Sequence, residues 1–504
     1  MSDNTGIFPD WAANSARVRP THIAVVAGGR KWTFAELDQE ATKTARKLAT
    51  LGVREGDRVA ALLHNSFEMA VLPHAVLRLG ASLVPLNVRL SDEEIAWQLG
   101  DSKPRLLIVD SRTRDTSRRV LADRLSIRVA SIETSAVNSI ARAAESKVEL
   151  RLNHPADAVL AVIYTSGTTG RPKGAMLSVS NFWWSAIGSA LNLGTQTGDR
   201  WIACMPLFHV GGLSILIRSA IYGITAVIQD GFDESAVNAA IDDGATIVSV
   251  VATMLERMID QRKGRAYPSS LRCVLVGGGP VPVALLERCT SMNAPVVQTY
   301  GLTETCSQAA TLSPGEAAGR HGAAGRPLYP NEIRIGPSAE HTSEDGAGEI
   351  QVRGPIVMAG YLNKSEATAR AMRDGWLHTG DVGRLDEDGF LYVLDRRDDL
   401  ILTGGENVYP AEVEAVLFSH PAIAEAGVIG IADEKWGQRV VAIARLSKLT
   451  VGPPPDAASL DAYCRARIAG YKIPKEFRFV IEPLPRTASG KLKRGDLREI
   501  VSRT

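Results

Sequence analysis

At 504 residues the chain exceeds what one compact core holds, so two or more domains are expected. Apolar residues make up 45% and charged residues 22%, the proportions of a water-soluble globular protein rather than a disordered or membrane-embedded one. With 57 lysines and arginines against 56 acids, bulk charge gives no footing to a nucleic-acid surface.

The opening "MSDNTGIFPDWAANSARV" lacks the basic and apolar blocks of a secretion signal, and no later run reaches membrane-spanning length. A cytoplasmic protein with no membrane insertion and no nucleic-acid partner is therefore expected. "TFAE" at 33–36 has the spacing of a capping box and predicts a long amphipathic helix ending near Gly52. "RVAALLHN" from Arg58 predicts a buried strand, followed by a helix up to Gly80 and a short strand in "SLVPLN". "SDEE" at 91–94 predicts another capped helix before the strand "RLLIVD". The alternation resumes through "AVLAVIY", "WIACMP", "TAVIQ", "TIVSVV" and "LRCVLVGGG", which argues for mainly parallel α/β sheets. Near residue 330 the texture changes to short, glycine-bounded strands of antiparallel type, "NEIRIG", "GEIQVRG" and "GFLYVLD". The last hundred or so residues mix strands and helices. Cys204, Cys273, Cys289, Cys306 and Cys464 show no metal-type spacing, so reduced thiols buried in the core are expected.

The chemistry concentrates in "YTSGTTGRPKGAM", residues 164–176. It follows the strand "AVLAVIY", so its amides emerge at a strand's carboxyl end, where α/β sheets bind ligands. Glycines permit close approach to phosphate, the hydroxyls of Thr165, Ser166, Thr168 and Thr169 add donors, and Lys173 adds charge. The lysine spacing is not that of the Walker loop. Three further stretches accompany it: "TYGLTET" with Tyr300, Thr303 and Glu304, "LHTGD" with Asp381, and "PRTASGKLKR" with Lys491. Each alone is a weak signal; in this order and at these separations the set is specific.

Over nearly its whole length, from "KWTFAELD" to "SGKLKR", the chain resembles the adenylate-forming acyl-CoA synthetases. The resemblance implies a large amino-terminal domain (1–397) of α/β subdomains plus a distorted β-barrel. A small α+β carboxyl-terminal domain (398–504) follows, hinged near Asp398. It implies ATP, magnesium and coenzyme A as reactants: a carboxylate and ATP give an acyl-adenylate, and the thiol then displaces AMP. Thr165, Ser166, Gly167, Thr168, Thr169, Gly170 and Lys173 would hold the phosphates. Glu304, with Thr168, would hold magnesium through hard oxygen ligands. Tyr300 would stack on adenine beside a wall of Gly278, Gly279 and Pro280, with Gly301 and Thr303 adjoining. Asp381 and Arg396 would meet the ribose. Lys491 would place a cation at the α-phosphate in the transition state, and Gly404, Gly405 and Trp436 would serve the thioester step. On the residues alone His209 in "MPLFHVGG" reads equally as a packed histidine; the resemblance implies a gate to the acyl pocket, which Gly278 and Gly301 also border. No activated serine or cysteine is needed, because the substrate carboxylate is the nucleophile.

The segment 208–229, "FHVGGLSILIRSAIYGITAVIQ", carries one charged side chain besides histidine, Arg218. If 212–222 is helical, Ser214, Arg218 and Tyr222 recur every four residues as one polar stripe. An arginine in so apolar a stretch needs a partner or a route to water. One reading is a structural arginine that snorkels or pairs with an acid; the other is a cation for a substrate's second carboxylate. No acid lies between 208 and 229, which argues against an amino-acid substrate. Within the superfamily, "MPLFHVGGLSILIRSAIYG", "YGLTETCSQ", "LDRRDDLILTGGENVYPAEVE" and "AEAGVIGIADEKWGQ" resemble the o-succinylbenzoate–CoA ligase family of menaquinone synthesis. Its substrate is an aromatic dicarboxylate, in keeping with a cation in the stripe. The alternative is another aryl- or fatty-acyl-CoA ligase. An ATP-binding carrier without thioester formation is opposed by Lys491, Glu304 and "GGEN" together. A homodimer is the expected assembly.

Overall fold

The computed structural model describes residues 6–121, 126–165, 172–279, 281, 283–316, 319–320, 322–336, 346–395, 401–446, 455–485, 492 and 494–502. The chain divides into two compact units, one of residues 1–88, 99–163 and 174–394, the other of 89–98, 164–173 and 395–504.

Two sheets dominate the first unit. One runs from edge to edge as Gly360–Tyr361, Lys173–Ser178, Val159–Thr165, Ser82–Pro85, Arg58–Leu62, Leu106–Val109 and Arg128–Ser131, and its last five strands are parallel. The other has nine strands, of which Val296–Tyr300, Cys273–Val276, Ile247–Val250, Arg200–Ala203, Thr225–Ile228 and Ile23–Ala27 form a parallel centre. These central strands are short apolar runs buried on both faces, as a helix-covered parallel sheet requires. Because they share one direction, "GGG" after Val276, Tyr300 and the segment leading to His209 all leave from carboxyl ends. A five-stranded antiparallel sheet of Glu332–Gly336, Gly348–Arg353, Trp376–Leu385, Met372–Arg373 and Leu391–Asp395 forms the half-barrel. The α/β architecture with a barrel-like sheet is thus as the sequence implies.

Local signals are honoured closely. Thr33 caps the helix Phe34–Thr50 in a reciprocal box with Glu36, and Ser91 does the same with Glu94 for the helix Asp92–Ser102. All five cysteines are free and buried. Among the described residues no helix is long and apolar enough to cross a membrane. The first unit also buries a charged network: Arg78 donates to both carboxylate oxygens of Asp10, at 3.1 and 2.8 Å, and to the Asp38 carboxylate. His154 joins at 3.3 Å from Asp10. Burial pushes the Asp10 carboxyl up, but hydrogen bonds from His154 and Arg78 outweigh it and hold it well below the usual carboxylate range.

The second unit has its own sheet, Glu406–Val408, Ile401–Thr403, Gly437–Leu446 and Ile423–Asp433, with Glu476–Val480 parallel to Gly437–Leu446. Lys472 is buried in it, its Nζ shared between Glu94 and Glu412, the latter at 2.7 Å. Burial works against the Lys472 charge, yet Tyr471 and the two carboxylates raise its pKa. Burial likewise raises the pKa of Glu412, whose second oxygen has no hydrogen-bond partner among the described residues. Arg89 reaches Glu406 at 2.6 Å and the Ser91 hydroxyl donates to the Arg467 carbonyl at 2.9 Å.

Candidate active site

Strand Val296–Tyr300 ends where the "GLTETCSQ" turn begins. The Tyr300 hydroxyl donates to Asp381 Oδ2 at 2.8 Å, and both side chains are buried. Asp381 sits in strand Trp376–Leu385, its amide donating to Thr379 Oγ1 at 3.1 Å, while that hydroxyl donates to the Ile350 carbonyl at 2.7 Å. Two residues proposed for the two ends of a nucleoside are therefore joined directly. Glu304 lies in the 3₁₀ turn Thr303–Thr305. Its Oε1 accepts the Tyr361 hydroxyl at 2.7 Å and its carbonyl accepts the Met358 amide at 2.9 Å. Tyr361 orients the carboxylate while the Met358 amide holds the backbone beneath it, and a hard, oriented oxygen donor suits magnesium.

Cys306 and Ser307 have φ of 49° and 90°, so their carbonyls fold back, and a Cβ on Gly301 would lie 1.5 Å from the Ser307 oxygen. Only glycine fits there, which accounts for Gly301 by packing. Gly278 has φ of +84° and Gly279 follows it at the end of strand Cys273–Val276.

His209 opens the helix Val210–Tyr222, half-buried, with its ring edge-on to Phe208 at 4.7 Å. The loop before it is clamped by Asn65, which donates to the Met205 carbonyl at 2.9 Å and the Gln229 carbonyl at 3.0 Å and accepts the Leu207 amide at 2.9 Å. The helix carries the anticipated stripe. Arg218 is 2% exposed, which rules out snorkelling, and it has no ion pair among the described residues. Its Nη2 donates to Ser185 Oγ at 2.9 Å, its Nε has no acceptor among the described residues, and its guanidinium lies 5.9 Å from the Trp201 ring centre. Burial pulls its pKa below the ordinary arginine value, with Tyr222 and Cys306 opposing. The Tyr222 hydroxyl donates to the Ala186 carbonyl. The Ser214 hydroxyl is buried without a hydrogen-bond partner among the described residues.

In the second unit, Thr165 Oγ1 lies 3.5 Å from the Lys173 carbonyl, so the base of the glycine-rich loop is closed on itself. Gly404 and Gly405 form the two-residue turn between Ile401–Thr403 and Glu406–Val408, with φ of +57° and +82°. That turn by itself requires glycine at 405. A Cβ on Gly404 would come within 2.9 Å of the Trp436 ring, and Trp436 is 42% exposed. Ser166, Gly167, Thr168, Thr169, Gly170, Pro280, Arg396, Asp398 and Lys491 lie outside the described residues.

Sequence reading missed Tyr361, Ser185 and Asn65. Nothing periodic marks Tyr361 or Asn65. Ser185 had a signal: Ser185 and Ser189 recur four apart in "SNFWWSAIGSALNL", matching the stripe on the helix they face.

Residues 12–362 match the AMP-binding enzyme family, and 412–491 match the AMP-binding enzyme C-terminal domain. The chain is 48% identical to the 2-succinylbenzoate–CoA ligase of Geobacillus kaustophilus, over 99% of both chains. Among solved structures it is similar to a double mutant of o-succinylbenzoate CoA synthetase from Bacillus subtilis bound with the product analogue OSB-NCoA. There the TM-score is 0.91 at 43% identity, over 98% of this chain and 99% of that one. The same Bacillus subtilis enzyme in complex with ATP and magnesium gives 0.74 at 42% identity, over 98% of this chain and 100% of that one. The chain belongs to the AMP-binding enzyme family, in the group of the 2-succinylbenzoate–CoA ligases.

Proposed function

We infer that the protein is an AMP-forming acid–thiol ligase that converts 2-succinylbenzoate to 2-succinylbenzoyl-CoA, using ATP, magnesium and coenzyme A, in menaquinone formation. The choice of acid rests on Arg218. A buried guanidinium with no ion pair among the described residues is costly, and a substrate's distal carboxylate would supply the missing charge. A monocarboxylate would leave it uncompensated.

The remaining roles are those that the family resemblance implies. An oxygen of the acid attacks the α-phosphorus of ATP and pyrophosphate leaves with the broken P–O bond. The thiol of coenzyme A, losing its proton, then adds to the acyl carbonyl and AMP leaves. Asp381, fixed by Tyr300 and Thr379, presents acceptor oxygens to the ribose hydroxyls, while the Tyr300 ring and Gly278 to Pro280 flank adenine. Magnesium, when bound, supplies positive charge across the phosphates; Glu304 and Thr168 would hold it. Thr165 to Gly170 and Lys173 take the phosphates, Arg396 the ribose, and Lys491 the charge growing at the α-phosphate. His209 gates the acyl pocket and Gly404, Gly405 and Trp436 serve the thioester step. We place the domain boundary at 397/398 with the hinge at Asp398, and the protein in the cytoplasm as a homodimer.

Pyrophosphate release measured across 2-succinylbenzoate, benzoates and fatty acids tests the assignment. The expected result is the highest kcat/KM for 2-succinylbenzoate; a faster medium-chain fatty acid would remove the acid while keeping the reaction.

A further inference from the structure

We propose that Ser185 is a positioning residue that aims Arg218 at the distal carboxylate of the acid; this rests on the reading that Arg218 meets that carboxylate. Ser185 sits in the helix Val179–Leu193, 2% exposed. Its oxygen lies 2.9 Å from Arg218 Nη2 and 2.7 Å from the Cys306 carbonyl. Arginine only donates, so the hydroxyl accepts there and its single proton goes to Cys306. Both bonds have one possible direction, and the hydroxyl cannot rotate without breaking one.

Ser185 Oγ is the one acceptor that holds the Arg218 guanidinium among the described residues. The Trp201 ring restricts it from one side. Long arginine side chains have many rotamers, and a charge-assisted bond to a carboxylate needs the planar fork held in place. A serine on a rigid buried helix provides that hold. The other bond grips a strained turn: Cys306, with φ of 49°, stands two residues after Glu304. One hydroxyl thus fixes the Arg218 cation and steadies the turn that bears Glu304.

The test compares KM for 2-succinylbenzoate and for benzoate in Ser185→Ala, Ser185→Thr, Arg218→Met and the double variant Arg218→Met with Ser185→Ala. Ser185→Ala is expected to raise KM for the dicarboxylate about tenfold and for benzoate less than about twofold. Ser185→Thr, which keeps the hydroxyl, should restore the dicarboxylate value. The double variant should be no worse than Arg218→Met alone, because Ser185 acts through Arg218. Equal changes for both acids, no change for either, or additive losses in the double variant would overturn the proposal. If Arg218→Met itself fails to discriminate the two acids, the parent reading of Arg218 falls. A selective Arg218→Met beside a silent Ser185→Ala removes Ser185 alone. Should Ser185→Ala not fold, failure of Ser185→Thr to keep the selectivity overturns the proposal equally.

Discussion

Arg218 shows how far a single residue could be read. The sequence placed a cation on a helical stripe with no acid nearby, and the spacing of four was enough to put Ser214 and Tyr222 on the same face. What it could not supply was the facing helix, because Ser185 is 33 residues away in the chain and that pairing exists only after packing. Arg218→Met should therefore raise KM for a dicarboxylate by a factor corresponding to about 1.5–3 kcal/mol, the loss of a charge-assisted hydrogen bond, and leave benzoate much less affected. Steady-state kinetics on the two acids decide it, and equal effects would make the arginine structural. Gly301 and Gly405 carry the opposite lesson. Motif resemblance assigned them to ligand binding, yet a Ser307 carbonyl over one and a left-handed turn at the other already demand glycine.

Elements were more legible than their partners. The two capping boxes and the glycine-bounded strands announce themselves locally, since three-residue spacing and period-two runs are written within a single element. The helix Phe67–Leu77 is different: it is apolar almost all round, so no periodicity reveals that His74 is buried. Burial pushes the His74 imidazole down to about 4. Below the ordinary value near 6.5 the unfolded chain takes a proton that the folded helix refuses. Stability is then lost as pH falls from about 6.5 to about 4, by about 3 kcal/mol at the lower end. Asp10, held far below the usual carboxylate range, contributes its full stability throughout that window and loses it only at still lower pH. Urea unfolding midpoints at pH 6.5, 5.5 and 4.5 should fall steeply in the parent protein and clearly less in His74→Gln. Parallel curves would mean that another group titrates.

For the molecule as a whole, the order of motifs conveyed the reaction, because each half-reaction leaves its own mark along the chain. Lys491→Ala should lose adenylate formation while still converting supplied acyl-adenylate to thioester. Gly405→Leu should make adenylate and stall at the thiol step, even though the strained turn at φ +82° will lower its stability as well. Single-turnover measurement of each step separates the outcomes; equal damage to both steps in Gly405→Leu would leave only the turn. The grouping of 89–98 with the carboxyl-terminal unit was not legible, for it depends on Glu94 and Glu412 meeting Lys472 across 378 and 60 residues of chain. That trio also limits how the protein can drift. Losing Lys472 leaves two buried carboxylates facing each other, and losing either acid strands part of a buried charge, each a step costing about 3–5 kcal/mol. Exchange of all three for apolar side chains carries no such penalty. Descendants of this sequence should therefore keep the three charges or shed them together, since every single-step route between those states crosses a poorly folded ancestor.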